Sequence, residues 1–146
     1  AWAKSGRAGS AQRAEDCLDR MMEGFSYDND PDDDDETAVR PNAFNFNSVI
    51  NAWANSGEFG AAGRAEEILE RMEALYDDTG DPDARPTAAS FNAVIDAYAK
   101  SGEDDAAERA EELLRHMEED VPDVEPNART FNSVINAWAK SGRRDA

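Results

Sequence analysis

A chain of 146 residues, 40% of them apolar, is long enough for one domain or for three to four stacked repeats. Its single cysteine, Cys17, excludes an internal disulfide framework, and no apolar run approaches the ~18 residues of a membrane span. The net charge of −18 argues against a nucleic-acid binder, but Asp28–Glu36, Asp77–Asp83 and Glu118–Glu125 hold 16 of the 33 acids and no Lys or Arg, and without them the charge falls to −2.

In chain order, Ala1 to Gly6 reads as the last turn of a helix, with Ser5-Gly6 as a left-handed stop. A second helix is predicted from about Ser10 to Glu23, with Ala14, Cys17, Leu18 and Met21 or Met22 at i, i+3, i+4, i+7 spacing. That spacing makes Cys17 a buried thiol. The stretch SYDNDPDDDDETAV that follows is acidic and interrupted by proline, the composition of a solvated linker. It fails as a calcium loop, because Asp33 stands where the loop needs Gly and Val39 where it needs a bidentate Glu.

Pro41-Asn42 opens a new helix, about Ala43 to Asn55, with Phe46, Val49, Ile50 and Trp53 on one stripe and Asn47 and Asn51 on a polar one. Ser56-Gly57 ends it, and a partner helix, about Ala61 to Tyr76, buries Ala65, Ile68, Leu69 and Met72. The pair then recurs. Phe91, Val94, Ile95 and Tyr98 line the next first helix, and Ala110, Leu113, Leu114 and Met117 its partner. A last first helix carries Phe131, Val134, Ile135 and Trp138, again read as core. Arg13, Arg64 and Arg109 stand in R-A-E units that suit helix-face ion pairs, and His116 reads as a surface residue.

The recurrence is literal. Ala43–Gly57 (AFNFNSVINAWANSG) and Ala128–Gly142 (ARTFNSVINAWAKSG) agree at 12 of 15 positions, and Ala88–Gly102 is a third copy. Self-similarity at a period of a few tens of residues predicts an all-α fold, an α-solenoid of stacked helix–turn–helix repeats, wound right-handed or similarly. We read one repeat domain over 1–146, divided into a partial repeat at 1–41, repeats at 42–86 and 87–126, and a partial repeat at 127–146. Both ends read as unfinished repeats of a longer array.

The unit P-N-A-R-T-F-N-S-V-I-N-A-W-A-K-S-G, followed by R-A-E-E-L-L-R-H-M, resembles the pentatricopeptide repeat. Phe-Asn, the Lys-Ser-Gly turn, the Met and the closing Pro-Asn at 126–127 carry the resemblance across nearly the whole chain outside the acidic stretches. The units depart from the family in length, with 51, 45 and 40 residues separating Trp2, Trp53, Tyr98 and Trp138 in turn. The tetratricopeptide pattern is absent.

The resemblance implies single-stranded RNA binding, one base per repeat. The base-reading pairs it implies are Asn47 with Thr87 and Asn92 with Asn127, while Asn132 lacks its closing partner and Asn42 its opening one. Asn with Asn implies C, then U; Asn with Thr implies a pyrimidine. An amide both donates and accepts, which suits a Watson–Crick edge. The wedge position falls on Phe44, Ala89 and Arg129, of which the aromatic ring and the guanidinium suit stacking. The phosphate-side Lys falls on Lys4, Lys100 and Lys140, with Asn55 breaking the series. Eight residues, roughly 12 Å at about 1.5 Å per residue, separate that Lys from the reading Asn, a spacing that suits a backbone beside a row of bases.

Each of Asn42, Thr87 and Asn127 is equally placed to cap a helix. Lys100 and Lys140 near helix C-termini also suit the helix dipole. No catalytic constellation, metal-ligand spacing or cofactor motif is legible, so the expectation is a binding protein without cofactor or metal. The partner is expected to be RNA, with no DNA and no membrane. Family resemblance implies a mitochondrial or plastid location and work in organelle RNA processing or stability, although no targeting segment is legible in 1–146. The alternatives are a protein-interaction α-solenoid, which the charge of −18 favours, and a structural spacer. In-phase Asn residues argue for RNA, since a peptide groove gives no reason to repeat them.

Overall fold

The computed structural model describes the backbone of residues 2–24, 41–121 and 123–145, and the side chains of 9–23, 41–121 and 123–141. The acidic stretch at 28–36, with the failed calcium-loop pattern, lies outside these residues, as does the side chain of Lys4.

Helix α1 spans Trp2–Gly24, α2 Ala43–Ser56, α3 Ala61–Thr79, α4 Ala88–Ser101, α5 Ala106–Glu119 and α6 Ala128–Asp145. Local chemistry explains most of these boundaries. Asn42 is extended at φ −127°, and its Oδ1 accepts from the Asn45 N–H while Asn45 Oδ1 accepts from the Asn42 N–H. This reciprocal pair satisfies N–H groups that the first turn of α2 leaves unpaired. Gly57 and Gly102 end α2 and α4 at φ 70° and 69°, where a Cβ would clash with the backbone. A single 3-10 turn at Pro82–Ala84 joins α3 to α4.

The chain folds as two layers of antiparallel helices. One layer sets α2, α4 and α6 side by side, α4 packing on both others. The other layer holds α1, α3 and α5. Helix α3 lies against α2 and α4, and α5 against α4 and α6. Phe46, Ile50, Phe91, Ile95, Ile68, Leu69, Met72 and Met117 are buried between the layers. Burial of each such side chain contributes about 1.5–3 kcal/mol, and neither helix of a pair could supply this alone. The chain is an all-α array of stacked helical hairpins, as the repeated pattern predicts.

Three expectations need correction. First, Ser5-Gly6 does not end a helix: α1 runs unbroken from Trp2 to Gly24, and α6 likewise runs through Ser141-Gly142. Gly57 and Gly102 turn because α3 and α5 follow and pack back on α2 and α4. Among the described residues no helix packs back after Gly142, and Gly6 leads straight into the helical stretch that holds Leu18, so the backbone keeps its helical hydrogen bonding at both places.

Second, Cys17 is exposed. Aligning the R-A-E units places it level with Ile68 and Leu113, which are buried in α3 and α5. Those two belong to hairpins with a first helix of their own, whereas α1 packs on α2 alone among its large contacts. Third, Phe131, Ile135 and Trp138 are 45%, 61% and 43% exposed, and only Val134 of their stripe is buried. The residues level with them in α2 and α4 are covered by α3 and α5.

Candidate functional site

Asn47, Asn92 and Asn132 occupy the same register on α2, α4 and α6, and therefore form one row across the layer of first helices. Their environments differ. Asn47 is half-buried, and its Oδ1 accepts from Ser90 Oγ at 2.6 Å. Asn92 is only 3% exposed. Its Oδ1 accepts from Thr130 Oγ1, and its Nδ2 donates to Asn127 Oδ1 at 3.3 Å. Asn132 is exposed.

The expected closing residues all sit at helix starts. Asn42 caps α2 as described above. At α4, Ser90 Oγ accepts from the Thr87 N–H at 3.2 Å. At α6, Thr130 Oγ1 accepts from the Asn127 N–H, and Asn127 Oδ1 accepts from the Thr130 N–H, both at 3.1 Å. In α4 and α6 the hydroxyl three residues into the helix, Ser90 or Thr130, thus serves two purposes. It takes part in the cap, and it donates across the seam to the Asn of the preceding first helix. The two residues of the Asn92–Asn127 pair, 35 apart in sequence, meet at this seam.

Phe44 is 76% exposed on the first turn of α2. Ala89, level with it on α4, is exposed but offers only a methyl group. Arg129 reaches back to α4, where its Nη2 lies 2.7 Å from Asp96 Oδ2. Asp96 also accepts from Ser133 Oγ, so α6 holds this carboxylate at both oxygens. Burial alone would raise the Asp96 pKa, but the hydrogen bonds from Ser133 and Arg129 outweigh it and hold the carboxyl below its ordinary range.

The lysines also differ. Lys100 is exposed in the last turn of α4. Lys140 Nζ donates to the Ala99 carbonyl at 3.1 Å, so it caps the C-terminal end of α4 from the neighbouring helix.

Charge divides between the layers. Helix α2 carries none, and α4 balances Asp96 against Lys100. Helix α3 sets Glu66, Glu67, Glu70, Glu73, Asp77 and Asp78 against Arg64 and Arg71, and α5 is likewise rich in Glu. Most of these acids therefore lie on the second helices rather than on the helices that carry the Asn row. Arg64 pairs with Glu67 along its own helix at 3.4 Å and with Glu15 of α1 at 3.0 Å, and Arg109 pairs with Asp105 at 3.5 Å.

His116 is a bridge rather than the plain surface residue its sequence context suggests. Its Nε2 lies 2.9 Å from Glu73 of α3, its Nδ1 2.9 Å from Asp120, and its ring rests 5.9 Å from that of Phe91. Burial opposes its charge, but the bonds to Asp120 and Glu73 outweigh burial and raise its pKa. Glu73 is also raised, by burial first, against the lowering effect of His116.

Sequence reasoning missed Ser90, Thr130, Ser133 and Asp96. The capping-box spacing from Thr87 to Ser90 and from Asn127 to Thr130 was a usable signal for the first two. For Asp96 the signal was weaker: it is an acid on a face whose counterpart, Asn51, is neutral. Among the described residues, no three His, Cys, Asp or Glu side chains converge to hold a metal ion, and no helix is long and apolar enough to cross a membrane.

Residues 74–141 match the sequence model of the pentatricopeptide repeat domain. No curated protein sequence matches the chain.

Proposed function

With residues 74–141 matching that domain, the chain is a pentatricopeptide repeat protein, of a family that in general binds RNA without catalysing a reaction, and from this premise we propose that it binds single-stranded RNA along the Asn row of α2, α4 and α6. One base is read per repeat, with a lean towards pyrimidines. Asn47 with Thr87 and Asn92 with Asn127 form the reading pairs, Asn132 begins a third, and Asn42 closes the one before. Phe44 stacks on a base, and Lys100 lies nearest the phosphates. The repeats divide at 42, 87 and 127 within a single repeat domain. The family is generally organellar, and the reading extends to a mitochondrial or plastid RNA-processing or stability role.

The observation that carries this reading is the meeting of Asn92 and Asn127 at 3.3 Å. Two amides from distant parts of the chain meet there, and a base that displaces their mutual hydrogen bond finds the donors and acceptors its edge needs. The charge division supports it, because the acidic second helices leave the Asn row almost uncharged. The acids of α3 and α5 favour a rival reading, in which a basic protein partner docks on the second helices.

The test is fluorescence anisotropy with short oligo-C, oligo-U, oligo-A and matched DNA at low salt. Pyrimidine RNA should bind best, and Asn47→Ala or Asn132→Ala should each weaken it by roughly three- to tenfold, the loss of about one hydrogen-bonding contact. A chain that is folded by circular dichroism and binds no strand at high micromolar concentration would transfer the assignment to a protein partner.

A further inference from the structure

We propose that the Arg129–Asp96 ion pair is a latch across the α4–α6 seam, closing the second base site while the first stays open, so that these two residues decide which repeat reads RNA. The inference rests on the RNA reading given above. It assigns Arg129 a role other than stacking on a base.

The molecule contains its own comparison. On α4, Asp96 lies one turn beyond Asn92 on the same helix face. Arg129, on the first turn of α6, spans the seam to reach it at 2.7 Å, and Ser133 holds the same carboxylate. At the α2–α4 seam the residues level with Asp96, Arg129 and Ser133 are Asn51, Ala89 and Ala93, which can form no ion pair. Asn47 beside the unlatched seam is half-buried, whereas Asn92 beside the latched one is 3% exposed with both amide atoms engaged. A base reaching Asn92 must therefore displace Asn127 from its Nδ2 as well as Thr130 from its Oδ1, whereas Asn47 is held at its Oδ1 by Ser90. The cap residues also differ between seams, so the test leaves them in place and changes only residues 96 and 129.

Asp96→Asn and Arg129→Ala each give the second seam the residue found at the first. They change the charge of the face in opposite directions, which separates latching from simple electrostatics. The first readout uses no RNA: solvent exchange of the Asn92 Nδ2 protons by NMR in the folded 146-residue chain. Both variants should speed it and leave Asn47 unchanged. The second readout is binding to short oligo-C, which both variants should strengthen by roughly two- to fivefold, the range set by a partly exposed ion pair.

Stronger binding by Asp96→Asn with weaker binding by Arg129→Ala would reduce the effect to net charge and overturn the latch. Weaker binding by both would mean that Arg129 touches RNA and Asp96 positions it, which also overturns the latch. Unchanged exchange in both variants refutes it without RNA. Faster exchange in variants that bind no strand upholds the latch and removes the RNA reading instead.

Discussion

Asn92 and Thr130 are joined by a hydrogen bond enclosed in the α4–α6 seam, with Thr130 fully buried and Asn92 nearly so. Asn47 and Ser90 repeat the link at the α2–α4 seam. An Asn recurring in phase thus also ties one repeat to the next. This weakens the sequence argument that only base reading explains the row, since stacking the repeats explains part of it.

Thr130→Val keeps the shape of the side chain and leaves Asn92 Oδ1 buried without its donor. The expected loss is about 1–3 kcal/mol, the penalty for an unsatisfied buried polar group. Ser90→Ala should cost less than about 1 kcal/mol, because half-buried Asn47 can turn to water instead. Urea midpoints at constant m-value test the difference. Equal losses would show that the two links are equivalent.

His116 places a proton-dependent contact between α3 and α5. Its pKa is raised in the folded chain, so its stabilising contribution is complete below the ordinary value of 6.5 and is lost as pH rises through the raised value. The raised pKa of Glu73 acts in the same direction, since ionising this partly buried carboxyl disfavours the fold as pH increases. The gap in melting temperature between the parent chain and His116→Gln should therefore be widest near about pH 6 and close towards about pH 9. With the ring about a third exposed, the gap should correspond to no more than about 1 kcal/mol. A pH-independent gap would mean that the ring acts only by packing on Phe91.

Gly102 and Gly142 occupy the same place in two copies of A-K-S-G but differ in backbone. Gly102 is left-handed at φ 69°, and Gly142 lies within α6. Gly102→Ala should destabilise by roughly 1–2 kcal/mol through a strained Cβ. Gly142→Ala should stabilise by roughly 0.5–1 kcal/mol through helix propensity. Thermal melts of the two single variants give the signs directly, and destabilisation by both would contradict the continuous α6.

Ile95 and Ile135 are likewise equivalent in sequence but not in environment. Ile95 is fully buried between the layers and Ile135 is 61% exposed. Ile95→Ala should cost about 2–5 kcal/mol, the range for emptying a packed core site. Ile135→Ala should stay within about 0.5 kcal/mol in this chain. Denaturant unfolding distinguishes them, and a large loss at Ile135 would mean that α6 is covered in solution.

The helices and their stacking were legible because they rest on local patterns written several times over. Apolar residues at 3.6-residue spacing, caps at Asn42 and Asn127, and the glycines after α2 and α4 all act within a few residues of themselves. The phase of Asn47, Asn92 and Asn132 was legible for the same reason. Which of these amides is open and which is enclosed was not, because Ser90, Thr130, Asp96 and Arg129 act across seams between residues some 33 to 43 apart.

The sequence by itself determined that this chain forms amphipathic helices in repeated pairs and which face of each must be apolar. Only the tertiary structure decided which apolar faces are covered, and whether Ser-Gly turns the chain or is carried through a helix. Gly6, Gly102 and Gly142 follow the same Ala-Lys-Ser, yet of the three only Gly102 is left-handed, and there α5 returns to bury the stripe before it. Periodicity fixes the face that a helix offers. Burial, and the free energy it contributes, requires a neighbour on that face.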